Sequence, residues 1–377
     1  MSAAAEMTPS LLARVRSGTW LDGQTFPPLS WAVPGLIPEG FGLFTGPPKV
    51  GKSWAVLGTA LAVAAGGHAF GKVPVGEPRP VLLLALEDGD RRLQDRCRRL
   101  LDDGPIPGLL DYATYATPLE VLPLIEAWLA LHPGQRPLVI LDTLGKVMPL
   151  AYPGESAYAR DYRIGGCLKA LSDAHPGSTL LVVHHIRKAG ADDWLDSTSG
   201  TNGLNGSADF TVSLSRERNK AEGVLKVTGR DVAEGEYAVT VQDGTWTLTG
   251  FTLADAARAA EQIRATQGLG DQQAEIVRLV NATPAGVRAA DVAGELDIDA
   301  TKARVYLNRA ADAGRITKAG RGLYTPVTSV TSVTPTVPDT ADRNARNTRN
   351  TPCRACGEPM LDLGDGADTH PLCEGVS

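Results

Sequence analysis

Apolar positions along this chain follow two rhythms. Phe41–Thr45 (FGLFT), Val81–Leu86 (VLLLAL), Leu138–Leu141 (LVIL) and Thr179–Val183 (TLLVV) are short, nearly unbroken apolar runs. Such runs predict strands buried on both faces. Between them the rhythm is helical. An Ala/Leu/Val stretch follows Ser53 and closes on a glycine pair. Asp90–Leu101 repeats Leu93, Cys97, Leu100 and Leu101 at helical spacing, with five arginines on its other faces. Pro118–Leu131 and Ala157–Ala174 read as further helices, and Tyr112–Ala116 as a short strand. This alternation predicts an α/β fold with a mostly parallel sheet and helices on both faces. Phe210–Leu214, Val224–Val227 and Tyr237–Val241 read as later, antiparallel strands. Upstream, Ser10–Arg16 suggests a short helix within an N-terminal extension (1–29), and Trp31–Gly40 an approach loop to the main domain (30–250).

After residue 250 the pattern changes. Thr252–Ala265 is an Ala-rich helix in a connecting stretch (251–270) that could link domains or pack on a neighbouring subunit. Residues 271–326 predict three helices, Gln273–Asn281, Arg288–Leu296 and Asp299–Ala313, then two short strands about Ala319-Gly320. Asp299 is the expected N-cap of the third helix and Gly314 its stop. Residues 327–350 lack large apolar side chains and cannot offset the entropy of ordering, so a disordered linker is expected there. Residues 351–377 form a last, small segment.

The chemistry centres on Gly46-Pro47-Pro48-Lys49-Val50-Gly51-Lys52-Ser53, which fits GxxxxGK[ST] without departure, between a predicted strand and a predicted helix. In that context successive backbone N–H groups wrap a nucleotide's phosphates, and the helix N-terminus adds partial positive charge. Lys52 is the candidate for the phosphate oxygens, Ser53 for Mg²⁺, and Trp54 closes the nucleotide-binding run. Three buried strands end in polar residues where such a sheet places its ligand crevice: Glu87-Asp88, Asp142-Thr143 and His184-His185. Asp142 suits a Mg²⁺-binding carboxylate, Glu87 a base for the attacking water, and the histidines a contact to the terminal phosphate.

Composition narrows the setting. The 377 residues are 43% hydrophobic and 21% charged with a formal net charge of −6, so any nucleic-acid contact must come from local patches. No apolar run is long enough to span a membrane, and MSAAAEMTPS lacks the basic and apolar regions of an export signal. Five cysteines, three of them beside a histidine at the C-terminus, suggest a reduced cytoplasm and a metal site rather than disulfides.

WAVPGLIPEG before the P-loop, LLLALEDGDRRLQDRCRRL, LVILDT and VVHHIRKAG, taken in order, resemble the RecA-like ATPases of the RepA plasmid-helicase type, grouped with AAA-family ATPases. The resemblance covers about residues 30–250. It implies a RecA-like core, homo-oligomeric (hexameric) rings with ATP between subunits, and movement along single-stranded or forked DNA. It also implies catalytic roles for Glu87, Lys52 and His185, nucleotide contacts from Asp142 and His184, and a replication initiator or primase as partner. By analogy with DnaB-type helicases, Arg216-Glu217-Arg218-Asn219 matches a segment that supplies arginine fingers in trans. The loop 189–207 departs from the family, since Asp192, Asp193 and Asp196 make it acidic. Arg187 and Lys188 at its root are therefore the DNA candidates in this domain.

Residues 271–326 resemble a winged helix-turn-helix. Lys302, Arg304, Arg309, Lys318 and Arg321 are its candidate phosphate contacts, with Asp312 the one acid between 300 and 322. Cys353, Cys356, His370 and Cys373 give C-x2-C-x13-H-x2-C, a spacing suited to a zinc ribbon. The expected cofactors are thus ATP, Mg²⁺ and Zn²⁺. The reading is a cytoplasmic ATP-dependent DNA helicase or translocase acting in replication of a phage, plasmid or mobile element. Its rivals are a recombination ATPase without unwinding activity and an ATP-gated DNA-binding initiator or regulator.

Overall fold

The computed structural model describes residues 15–185, 203–266, 269–327, 351–352 and 359–360. It divides into two compact units, residues 1–270 and 271–377.

In the first unit each apolar run becomes a strand of one nine-stranded sheet. The strands are β1 (Gly40–Gly46), β2 (Val81–Ala85), β3 (Leu110–Ala113), β4 (Leu138–Asp142), β5 (Thr179–His185), β6 (Phe210–Arg216), β7 (Glu222–Gly229), β8 (Gly235–Gln242) and β9 (Thr245–Leu248). Their order is β9-β8-β7-β6-β1-β5-β4-β2-β3. From β6 to β3 every pairing is parallel, and β6 to β9 continue as an antiparallel meander. The period of two sorts each central strand between two cores. Val81, Leu83, Ile140, Leu181 and Val183 join α1 (Lys52–Ala65) and α2 (Asp90–Leu100) on one face. Leu82, Leu84, Val139, Leu180 and Val182 join α3 (Val121–Ala130) and α4 (Ala157–Asp173) on the other. A short helix α5 (Gly203–Ser207) lies against α4. Helix α6 (Leu253–Thr266) buries Ala256 and Ala260 and packs on β8, so the expected connecting helix lies within this unit.

Several details differ from expectation. Trp31–Val33 and Ile37–Pro38 pair as two small strands rather than a loop. The helix sought at Ser10–Arg16 falls mostly outside the described residues, and a five-residue helix stands at Gly18–Asp22, capped by Ser17. The four-residue strand β9 was missed, because TWTL is too short for its alternation to register.

The second unit has three helices, α7 (Asp271–Ala282), α8 (Ala289–Glu295) and α9 (Ala300–Asp312). Strands β10 (Val287–Arg288), β11 (Thr317–Gly320) and β12 (Leu323–Thr325) form a sheet in the order β10-β12-β11. Ile276, Val280, Val292, Leu307, Ile316 and Tyr324 make its core. Asp299 caps α9 by accepting from the backbone N–H groups of Thr301 and Lys302 at 2.8 and 3.1 Å, and Gly314 ends it with φ +67°. Further on, Thr351–Pro352 pairs with Pro359–Met360.

Candidate functional site

Parallel register brings the three polar strand ends to one edge of the sheet. Gly46 stands opposite His185, and Ala85 opposite Asp142. A cleft of about 660 Å³ opens there, lined by the P-loop, Glu87, Asp88, Arg96 and His185 among others. This is the crevice beyond the carboxyl ends of the strands, where an open α/β sheet binds ligands.

The P-loop is braced by the antiparallel half of the sheet. A Cβ on Gly46 would stand 2.4 Å from the Leu214 carbonyl oxygen, so β6 approaches closer than any side chain permits. Gly51 has φ +110°, and the Trp246 indole N–H of β9 donates to its carbonyl at 3.2 Å. Trp54 is held from the other side. Gly244 leaves room for its ring, and the Arg96 and Arg99 guanidinium carbons lie 4.7 and 5.7 Å from its centroid.

Lys52 is buried, and its ammonium nitrogen has three neighbours in hydrogen-bond reach. The carbonyls of Gly46 and Pro47 accept at 2.7 and 3.1 Å, and His185 Nδ1 lies at 3.0 Å. Burial lowers the Lys52 pKa to about 8 against the pull of Asp142 and Glu87, which leaves it charged at neutral pH. Burial also lowers the pKa of His185, with the Lys52 charge adding to the effect. A neutral imidazole is what lets Nδ1 accept a hydrogen bond from Lys52.

Asp142 is 6% exposed, and burial raises its pKa to about 6 despite a hydrogen bond from Ser53. Its Oδ1 is buried without a hydrogen-bond partner among the described residues. An orphaned carboxylate oxygen beside a serine hydroxyl on the P-loop fits a hard divalent cation, so the residues suit Mg²⁺. Glu87 is exposed within the cleft, free of the deep burial that holds Asp142.

Strand alternation separates the two histidines. His185 faces Lys52 and lines the cleft. His184 is partly buried, and burial lowers its pKa against the pull of the buried Asp161 on α4. The arginine pair separates as well. Arg216 donates to the Lys220 carbonyl at 2.8 Å and lies 5.9 Å from the Trp246 ring centroid, whereas Arg218 is exposed on the β6–β7 turn.

The main residue missed from sequence was Arg96. It pairs with Asp88 and stacks on Trp54, while its buried Nε and Nη2 have no partner among the described residues. The available signal was its place one helical turn beyond Arg92 on the apolar-flanked side of α2, directly after Glu87-Asp88.

In the second unit Lys302, Arg304, Arg309, Lys318 and Arg321 are all exposed, on α9, on β11 and in the β11–β12 turn. Arg187, Lys188, Cys353, Cys356, His370 and Cys373 lie outside the described residues. Among the described residues no group of three or more His, Cys, Asp or Glu side chains gathers as for a metal ion, and no helix is long and apolar enough to cross a membrane.

Residues 8–191, just under half of the chain, match a family model described as an AAA domain. That stretch contains the P-loop and all three polar strand ends. No curated protein matches the chain. Among solved structures, the ATPase domain of G40P is 14% identical, with a TM-score of 0.45 over 56% of this chain and 85% of that one. A DnaB-like replicative helicase, in a structure described with its primase interactions, is also 14% identical, with a TM-score of 0.47 over 65% and 71%. The RadB recombinase, again 14% identical, gives 0.42 over 57% and 93%. At these values the likenesses are remote, and nothing about activity follows from them.

Proposed function

We propose that the chain is an ATP-driven DNA motor of the RepA-helicase type, serving replication of a phage, plasmid or mobile element in the cytoplasm. The observation that carries this reading is that Lys52, His185, Ser53 and Glu87 line one cleft, with buried Asp142 bonded to Ser53. Lys52 serves the phosphate oxygens, and Glu87 orients and deprotonates the attacking water. Mg²⁺ between Ser53 and Asp142 would neutralise charge developing on the phosphates. His185, in contact with Lys52, senses the terminal phosphate at the root of the segment that follows β5.

Arg218, exposed on its turn, acts on the nucleotide of a neighbouring copy in a six-membered ring. Arg216, tied to Trp246 and the Lys220 carbonyl, steadies that turn. Three helices and a three-stranded sheet with an exposed basic face support a winged helix that contacts DNA phosphates. Arg187 and Lys188 add contacts to the translocating strand. Cys353, Cys356, His370 and Cys373 bind one structural Zn²⁺, which metal analysis of reduced full-length protein and of its Cys353→Ser variant would test. A replication initiator or primase would load the ring.

The deciding experiment is ATP turnover with and without single-stranded DNA, run beside a fork-unwinding assay. DNA-stimulated hydrolysis with strand displacement supports the motor. Duplex binding gated by ATP without displacement would instead support an initiator or regulator, the reading favoured by the exposed basic patch on the separate second unit.

A further inference from the structure

Among the described residues, eight other than glycine take a left-handed backbone, and five of these are Asp or Asn, which tolerate it. The exceptions are Phe70, Arg136 and Lys49. Phe70 is buried and locked into the core. Arg136 is tied through its carbonyl to the buried Arg79. Lys49, in the P-loop with φ +65°, has no such support. Its side chain is exposed and makes no hydrogen bond, ion pair or ring contact with another described residue. A left-handed conformation is costly for a lysine and persists where function holds it in place.

Lys49 lines the same cleft as Lys52, Arg92, Arg96 and Arg99, and those four cations are engaged. Lys52 has the Gly46 and Pro47 carbonyls and His185 within reach. Arg92 lies 3.5 Å from an Asp88 oxygen, and Arg96 pairs with the other oxygen while lying over Trp54. Arg99 lies over the same ring. Of the five, Lys49 is the one whose ammonium protons no described residue claims.

We propose that Lys49 is the capture residue for the nucleotide. Its ammonium meets the phosphate chain before Lys52 has exchanged its partners, and its charge holds that chain afterwards. This rests on the reading of the chain as an ATPase and gives the Lys49 side chain a task apart from the P-loop's backbone N–H groups. An ammonium is a compact point charge with three donors on a flexible stem, suited to a polyphosphate whose position is still settling. A free cation at the site also draws an anionic ligand in and speeds its association. The cleft, at about 660 Å³, has the size of a small-ligand site, so the anion is a nucleotide's phosphate chain rather than a nucleic-acid backbone.

The test compares full-length wild type, Lys49→Asn and Lys49→Arg. Asparagine accepts the left-handed backbone and removes the charge, whereas arginine keeps the charge. Calorimetry with Mg-ADP at low and high salt is run beside steady-state ATP turnover and thermal melting without nucleotide. Lys49→Asn should bind Mg-ADP about tenfold or more weakly, with KM for ATP rising in proportion and kcat changing less than about threefold. The deficit should shrink as salt rises, because screening removes what the charge contributed. Lys49→Arg should stay within about threefold of wild type, and Lys49→Asn should melt no lower than wild type. Wild-type affinity in Lys49→Asn removes the capture role and leaves the ATPase reading standing. Weaker binding with a lower melting temperature also overturns it, since the lysine then props the loop. Equal losses in both variants overturn it as well, because charge is then not what the site uses. If kcat falls while KM holds, Lys49 acts on the reaction and not on capture. A wild type that binds no Mg-ADP brings down the ATPase reading and the capture role together.

Discussion

Lys52 and Asp142 keep their charges almost wholly out of water, each shifted from its ordinary pKa, Lys52 lining the cleft and Asp142 bonded to Ser53, which lines it too. Lys302, Arg304, Arg309, Lys318 and Arg321 in the second unit stand in solvent on a helix, a strand and a turn. Burial makes a charge strong, costly and directional. Exposure makes it cheap, salt-screened and interchangeable. The first arrangement suits chemistry on a nucleotide, the second suits sequence-independent contact with a polyanion, and substitutions should expose the difference.

The largest effects belong to the cleft. Lys52→Ala should abolish nucleotide hydrolysis, and Glu87→Gln should cut it about 10²- to 10⁴-fold while leaving nucleotide binding intact. Equilibrium binding beside steady-state turnover checks both. Wild-type turnover in Glu87→Gln would move the base elsewhere, with Asp88 the first suspect.

Next comes the cost of burying Asp142. Its folded pKa of about 6 lies above the ordinary 3.8, so the folded state holds the extra proton between those values. Stability from this group is therefore full below about pH 4 and is lost as pH rises through 6. By linkage the loss amounts to about 3 kcal/mol at most. Asp142→Asn should accordingly melt at higher temperature than wild type at pH 7.5 in chelator, should lose that advantage near pH 4, and should not hydrolyse ATP. A variant that melts lower at both pH values would show that the carboxylate is not strained by burial.

A smaller effect concerns His185. Lys52 already spends all three protons on Gly46, Pro47 and His185, so phosphate oxygens must displace existing partners. ADP has no terminal phosphate for His185 to contact. His185→Ala should therefore bind Mg-ADP a few-fold more tightly by calorimetry while turning ATP over more slowly. Weaker ADP binding would make His185 a phosphate ligand and nothing more.

The smallest effects belong to the exposed face. Replacing Lys302, Arg309 or Arg321 singly by Ala should weaken duplex binding modestly and flatten the logarithmic salt dependence by about one unit each, with ATP turnover unchanged. Loss of binding confined to one residue would mean base recognition rather than phosphate contact.

What could be read from the chain follows the same division. The P-loop and the strand ends were legible because each is contiguous and because unbroken apolar runs register as buried strands. That His184 and His185 face opposite sides was legible in principle, since neighbours on a strand alternate, yet the partner on each side depends on β1 and α4. Arg96 over Trp54 and Trp246 against Gly51 were hidden. Their partners lie 42 and 195 residues apart, and no local pattern records such pairings. The stacked, exposed pair Tyr158 and Tyr162 on α4 was hidden for another reason. Tyr158 and Tyr162 sit at a helical spacing that equally suits a buried stripe, and only the folded α4 shows them facing outward.

The Trp246–Gly51 bond also sets an order of events during synthesis. A ribosome finishes the P-loop almost 200 residues before it makes the strand that braces it, and β6, which presses on Gly46, comes only shortly before that strand. The nascent chain therefore carries a complete nucleotide motif on an open half-sheet for most of its translation. Such late, distant closure is slow and leaves apolar strand edges uncovered meanwhile. Nucleotide competence should arrive abruptly, once residue 248 has cleared the exit tunnel, and a chain truncated anywhere before it should keep the motif and lack the grip.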